Sequence, residues 1–167
     1  MRRVFAIALF LLTLAACGPS TPPPAPTEFT AEAYVQFGES EFAALIRQER
    51  PGVLTVEFTA PEELASLRFN LQGGTISLHY GDLQTELPAA ALPVSNFAAL
   101  LGGVLLQLAQ PSPAGLTRAR GGGWTLAGIL NGLSYQATIS SEGTLTEVRA
   151  PSANLTITLS QAAAHSN

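Results

Sequence analysis

The 167-residue chain has no lysine, one cysteine, one aspartate and two histidines. Each scarcity excludes something. All eight basic residues are arginines, they face twelve acids, and the formal net charge is −4. Arg2 and Arg3 belong to a leader described below. Without them six arginines face twelve acids, a net charge of −6. That sign argues against a nucleic-acid partner, whose phosphates call for clustered positive charge. One cysteine excludes an intramolecular disulfide framework and a cysteine-rich metal site. Charged residues make up only 12% of the chain, against a usual share of about 25%. The hydrophobic share is 47%, ample for a core and too high for a disordered tail. The length suits one domain.

Catalytic and metal-binding residue sets are missing as well. His165 lies near the carboxyl terminus, and His79 falls on the polar side of an alternating segment. With one aspartate and two separated histidines, the convergent donors of a metal site are lacking. Glu62-Glu63 are adjacent and do not face each other, so they read as a solvated turn. Gly121-Gly122-Gly123 occurs without the lysine and spacing of a phosphate-binding loop. No G-x-S-x-G nucleophile elbow occurs. The expectation is a protein that is not an enzyme and carries no metal and no cofactor.

The amino terminus is rich in apolar residues. Arg2-Arg3 precede an apolar run, Val4 to Leu14, broken only by Thr13. Eleven residues fall short of the roughly 20 that cross a bilayer and match the core of a signal peptide. The run ends in Leu14-Ala15-Ala16-Cys17, followed by Gly18. This segment resembles the lipobox of bacterial lipoproteins. The resemblance implies removal of residues 1–16 and a diacylglycerol thioether on Cys17. It also implies a location on the extracytoplasmic face of a cell membrane, or on an outer membrane where the source has two. Two acyl chains give stable anchoring where one does not, each buried CH₂ contributing about 0.8 kcal/mol. Residues 18–27, GPSTPPPAPT, are half proline. Such chain rises about 3.1 Å per residue, so ten residues make a tether of roughly 30 Å.

From Glu28 the dominant period is two, the strand period. Phe29, Ala31, Ala33, Val35 and Phe37 alternate with polar residues, and Gly38-Glu39-Ser40 reads as a turn. Phe42, Ala44 and Ile46 share a face, as do Leu54, Val56, Phe58 and Ala60 after Pro51-Gly52. Leu67, Phe69 and Leu71 precede Gly73-Gly74. Ile76, Leu78 and Tyr80 follow, and Leu83 to Leu87 reads as a short strand. One-sided alternation puts one face in solvent and the other on a core.

Residues 96–110 change period. Phe97, Leu100, Leu101, Val104, Leu105 and Leu108 recur at helical spacing, and Ser95 could cap the helix. Pro93 and Pro111 confine it to a stretch too short for a membrane span. Gly102-Gly103 sit in mid-helix, where each costs about 0.5–1 kcal/mol relative to alanine. They permit either close backbone approach or a bend that opens space. Residues 111–123 read as a loop carrying Arg118 and Arg120. Strands then resume at Trp124–Ile129, Leu133–Ser140, Thr144–Arg149 and around Leu155–Leu159, and residues 161–167 form a tail.

About five strands, one apolar helix and about four strands imply a curved antiparallel sheet, an incomplete β-barrel, wrapped around the helix. That order over residues 28–160, with the strand-to-proline phrase Val56 to Leu64, resembles the periplasmic lipoprotein carriers and their relatives, the LolA/LolB/LppX-like superfamily. Those carriers usually begin with a helix, whereas this domain begins with a strand. The resemblance implies an apolar cavity for acyl chains between sheet and helix. Its candidate lining residues are Phe58, Phe69, Leu78, Tyr80, Phe97, Leu101, Leu105, Leu108 and Trp124. A filled core and an empty cavity use the same residue types, so two expectations stand. One is a membrane-anchored binder of an apolar ligand, a lipid acyl chain. The other is a structural lipoprotein with a full core that meets a protein partner of the cell envelope.

Overall fold

The computed structural model describes residues 28–91 and 96–161. The leader, Cys17, the proline-rich tether, Ser95 and residues 162–167 lie outside the described residues. Among the described residues, eleven antiparallel strands form one open sheet around one α-helix. Six strands precede the helix: β1 Phe29–Phe37, β2 Ser40–Arg50, β3 Val53–Ala60, β4 Leu67–Gln72, β5 Thr75–Tyr80 and β6 Leu83–Pro88. The helix, α1, covers Phe97–Leu108. Five strands follow: β7 Leu116–Arg118, β8 Trp124–Leu130, β9 Leu133–Ile139, β10 Leu145–Ala150 and β11 Leu155–Gln161.

The spatial order is β6-β5-β4-β3-β2-β1-β11-β10-β9-β8-β7. Every neighbouring pair but one is consecutive in sequence. The exception joins the first strand to the last, with Ala33 opposite Leu159 and Phe37 opposite Leu155. The first and last strands therefore meet in mid-sheet, and among the described residues the sheet edges are β6 and β7. The connection that carries α1 runs from one free edge to the other. The Gly73-Gly74 turn shows why the hairpins close where they do. Both glycines have positive φ, 59° and 81°, as a two-residue turn between twisted strands demands.

The alternation seen in the sequence is the observed inside-outside pattern. Ala31, Ala33 and Val35 are buried while Thr30, Glu32 and Tyr34 are exposed. On β9, Leu133, Tyr135, Ala137 and Ile139 face inward. The inward residues of both wings and of α1 make one continuous core. All strands, α1 and that core fall within residues 29–161, so this stretch supplies its own packed interior.

The helix is capped by Asn96, whose side-chain oxygen accepts from the N–H groups of Ala98 and Ala99, each at 3.1 Å. Two otherwise orphaned donors are thus satisfied, and the helix begins one residue later than the apolar spacing alone suggests. It ends at Leu108, ahead of Pro111. Eight of its twelve residues are buried, because it is covered by both wings of the sheet. Gly102 and Gly103 mark two tight contacts. A Cβ on Gly102 would overlap Leu71 of β4. One on Gly103 would overlap Leu130 of β8, with Leu130 Cδ1 at 3.0 Å and Cγ at 3.3 Å. The glycines serve close approach, and a leucine from each wing fills the space their missing side chains leave.

A polar chain ties the far end of the helix to the sheet. The hydroxyl of buried Tyr135 donates a hydrogen bond to Gln107 Oε1. Gln107 Nε2 donates in turn to the Ala114 carbonyl at 2.9 Å. The Tyr135 ring lies across Gly128 on the next strand, where a Cβ would sit 2.8–3.0 Å from the ring and its oxygen.

Two elements differ from the sequence reading. Residues 116–118, expected within a loop, form β7 and pair with β8 in the register Leu116–Leu126 to Arg118–Trp124. Three residues are too few for periodicity, and the strand forms because Gly115 approaches the backbone of β8. There Ala127 N donates to Gly115 O at 3.2 Å. The other difference is β6, which continues to Pro88. A proline can end a strand whose outer side has no partner.

Candidate functional site

Four phenylalanines meet where α1 begins. Phe42 of β2, Phe58 of β3, Phe69 of β4 and Phe97 of α1 form a connected cluster. Their ring centroids are 5.3 Å apart for Phe42–Phe58, 5.0 Å for Phe42–Phe97, 5.4 Å for Phe58–Phe69 and 5.7 Å for Phe58–Phe97. Phe58 stands nearly perpendicular to both Phe69 and Phe97 (89°). Edge-to-face pairs of this kind add about 0.5–1.5 kcal/mol beyond burial. The strand period places three of the rings on the concave face. The Asn96 cap places the fourth, because it sets the first turn of α1 against them.

The cluster forms the wall of an open pocket of about 290 Å³. Phe37, Leu64, Leu67, Leu155 and Asn96 complete the lining. The pocket lies at the mouth of the half-barrel, beside the Phe37–Leu155 junction of the first and last strands. Its volume is at the lower edge of the roughly 300–1,000 Å³ typical of small-molecule sites. Every lining side chain but Asn96 is apolar.

The nine residues expected to line a cavity separate into groups. Phe58, Phe69 and Phe97 come together in this pocket. Leu101, Leu105 and Leu108 lie further along α1 and are buried in the core, at 0%, 4% and 9% exposure. Leu78 and Trp124 are half-buried and pack against the core from β5 and β8. Tyr80 is 45% exposed, and its hydroxyl donates to the Glu63 carbonyl at 3.2 Å. Phe37, Phe42, Leu64, Leu67, Asn96 and Leu155 were not singled out in the sequence. For Phe42 the signal was present, since it shares a face with Ala44 and Ile46. Phe37, Leu67 and Leu155 likewise lie on apolar strand faces, but their convergence with Leu64 and Asn96 depends on pairings of distant segments.

Two further depressions have different character. A shallow apolar groove of about 570 Å³ lies over Gly102, Gly103 and Leu106, bounded by Val53, Leu71 and Arg50. A cleft of about 540 Å³ on the convex side contains Glu57, Arg68 and His79. Glu57 accepts from Arg68 at 2.9 Å and lies 3.8 Å from Arg47. His79 is the cross-strand neighbour of Arg68. Such half-exposed ion pairs contribute about 0–1 kcal/mol. Arg118, the last residue of β7, and Arg120 just beyond it are exposed. Among the described residues, no group of three or more histidines, cysteines or acids is placed to hold a metal ion. Among the same residues, no helix is long and apolar enough to cross a membrane.

No family model matches the chain, and no curated protein matches it. Among solved structures, the chain is similar to an uncharacterized conserved protein from Thermus thermophilus. The identity is 14% and the TM-score 0.45, over 80% of this chain and 79% of that one.

Proposed function

We propose that this chain is a membrane-anchored, exported lipoprotein of the LolA/LolB/LppX-like kind that binds an apolar ligand, a lipid acyl chain, without catalysis. The anchor is the lipidated Cys17 and the site is the mouth between sheet and helix. The observation that carries this reading is the pocket built on Phe42, Phe58, Phe69 and Phe97. A wall of aromatic and aliphatic groups offers an acyl chain about 0.8 kcal/mol for each CH₂ removed from water. The pocket opens to solvent, so a chain can enter without unfolding the sheet.

A second reading follows from the packing further along α1. Leu100, Leu101 and Val104 are fully buried, and Leu71 and Leu130 occupy the space beside the glycines. On that reading the interior is full, and the protein is a structural lipoprotein that meets an envelope protein.

The test is native mass spectrometry with lipid extraction on residues 28–167, purified without detergent. Near-stoichiometric bound lipid supports the ligand-binding reading. A clean apo mass, with a thermal transition unmoved by added lipid, refutes it and favours the second. Leu64→Arg places a charge in the lining at a half-buried position on an otherwise exposed turn outside the sheet. It should abolish lipid retention while the thermal midpoint stays within a few degrees of the parent.

A further inference from the structure

Charge is distributed unevenly along the half-barrel. At the end where the pocket opens, the turns carry Glu39, Glu62, Glu63 and Asp82, and Glu41 lies at the start of β2, all exposed. No arginine lies in those turns. Glu62 and Glu63 directly precede the lining residue Leu64. Glu39 follows Phe37 in the β1–β2 turn, and Asp82 follows Tyr80, whose hydroxyl reaches the Glu63 carbonyl. Glu41 adjoins Phe42 and is held on the convex side by Gln36 at 3.0 Å. At the opposite end Glu28, Glu49 and Glu142 are balanced by Arg50, Arg118 and Arg120. The other arginines among the described residues are engaged on the convex face, Arg47 and Arg68 with Glu57 and Arg149 with Glu147 at 2.8 Å. Glu32 and Glu86 lie mid-strand in β1 and β6, away from either end, so most of the domain's excess of negative charge sits at the pocket end.

We infer that the pocket takes an amphiphile with a positively charged head, an alkylammonium, in preference to one ending in a carboxylate or phosphate. The inference rests on the ligand-binding reading above and adds to it the charge of the head group. The two contributions are separable. The phenylalanine wall holds the tail whatever the head. The lining holds no charged side chain, so a bound head group stays at the mouth, in the field of the surrounding carboxylates. Clefts rimmed by one sign of charge raise the local concentration of the opposite ion and repel their own. These groups are solvent-exposed, so the preference is salt-dependent. The Debye length is about 30 Å at about 0.01 M salt and about 3 Å at about 1 M.

The experiment titrates residues 28–167 calorimetrically with three probes of one chain length below their micelle thresholds: dodecyltrimethylammonium, dodecanol and dodecanoate. At about 0.01 M salt the ammonium should bind about tenfold or more tighter than dodecanoate, with dodecanol between them. At about 1 M salt the three affinities should converge. Replacing both Glu62 and Glu63 by glutamine should narrow the low-salt spread and leave dodecanol affinity unchanged. Dodecanoate binding as tightly as the ammonium, or dodecanol matching it, overturns the inference and leaves the ligand-binding reading intact. Failure of all three probes to bind overturns both.

Discussion

The Gly103–Leu130 contact makes a quantitative prediction, because two opposing effects of known size meet there. Gly103→Ala removes a mid-helix glycine, a gain of about 0.8–1 kcal/mol in helix propensity. The new methyl also lands on the Leu130 side chain, with Cδ1 at 3.0 Å and Cγ at 3.3 Å and Cδ2 nearer still. Overpacking of a core contact typically costs about 1–3 kcal/mol. The balance is destabilisation by about 1 kcal/mol. Leu130→Ala alone, at a half-buried position, should cost about 1.5 kcal/mol, below the 2–5 kcal/mol of fully buried sites. In the double variant the overlap disappears and the propensity gain remains, so the loss should fall to about 0.5 kcal/mol. The two changes are then coupled by about 2 kcal/mol, well beyond the 0.3–0.5 kcal/mol scatter of independent sites. Urea unfolding of the four proteins, with equal m-values, measures this directly. Additivity within about 0.5 kcal/mol, or stabilisation by Gly103→Ala alone, would refute close approach as the reason for the glycine.

Four further outcomes are expected. Tyr135→Phe leaves Gln107 Oε1 without its donor and should cost about 1–2 kcal/mol in urea unfolding. Burial also raises the Tyr135 phenol above its ordinary 10.0; this stabilisation is present below the unfolded-state value and is lost as pH rises through the folded one, so the parent's unfolding midpoint should fall more steeply in alkali than that of Tyr135→Phe. Gly115→Ala puts a Cβ into the Ala127 carbonyl oxygen at a φ of 81°; with backbone on both sides neither can yield, and a loss of about 3 kcal/mol with weakened amide-exchange protection in β7 is expected. Asn96→Ala removes the acceptor for two helix N–H groups and should lower stability by about 1 kcal/mol, while Asn96→Asp should retain it.

Much of the sheet was legible because strand pattern is local. The alternations Ala31-Ala33-Val35, Leu54-Val56-Phe58 and Leu133-Tyr135-Ala137-Ile139 each state which residues face inward, whatever the strand's neighbour. The apolar helix was legible by its 3.6-residue period and by the prolines on either side. Elements with too little pattern were not legible. The three residues of β7 carry no period, and β7 exists because Gly115 can touch Ala127. The role of Gly102-Gly103 stayed open between close approach and a bend until Leu71 and Leu130 were in place, since a glycine says only that a side chain is missing.

The candidate site was half legible for a related reason. Phe58, Phe69 and Phe97 could be named because inward aromatics at strand and helix spacing are visible in the residues themselves. That they meet Phe42, Phe37 and Leu155, while Tyr80 remains at the surface and Leu101 and Leu105 sink into a packed core, depends on contacts between distant segments. Strand faces, the helix stripe, the scarcity of catalytic groups and the excess of acids are all readable from residue order alone. These are properties of composition and of short-range period, set by backbone geometry within a few residues. Long-range packing makes the first and last strands pair in mid-sheet and carries the helix between the sheet edges. It also decided that the acids gather around the pocket mouth. Those follow from which distant surfaces bury each other, and no local pattern encodes that choice.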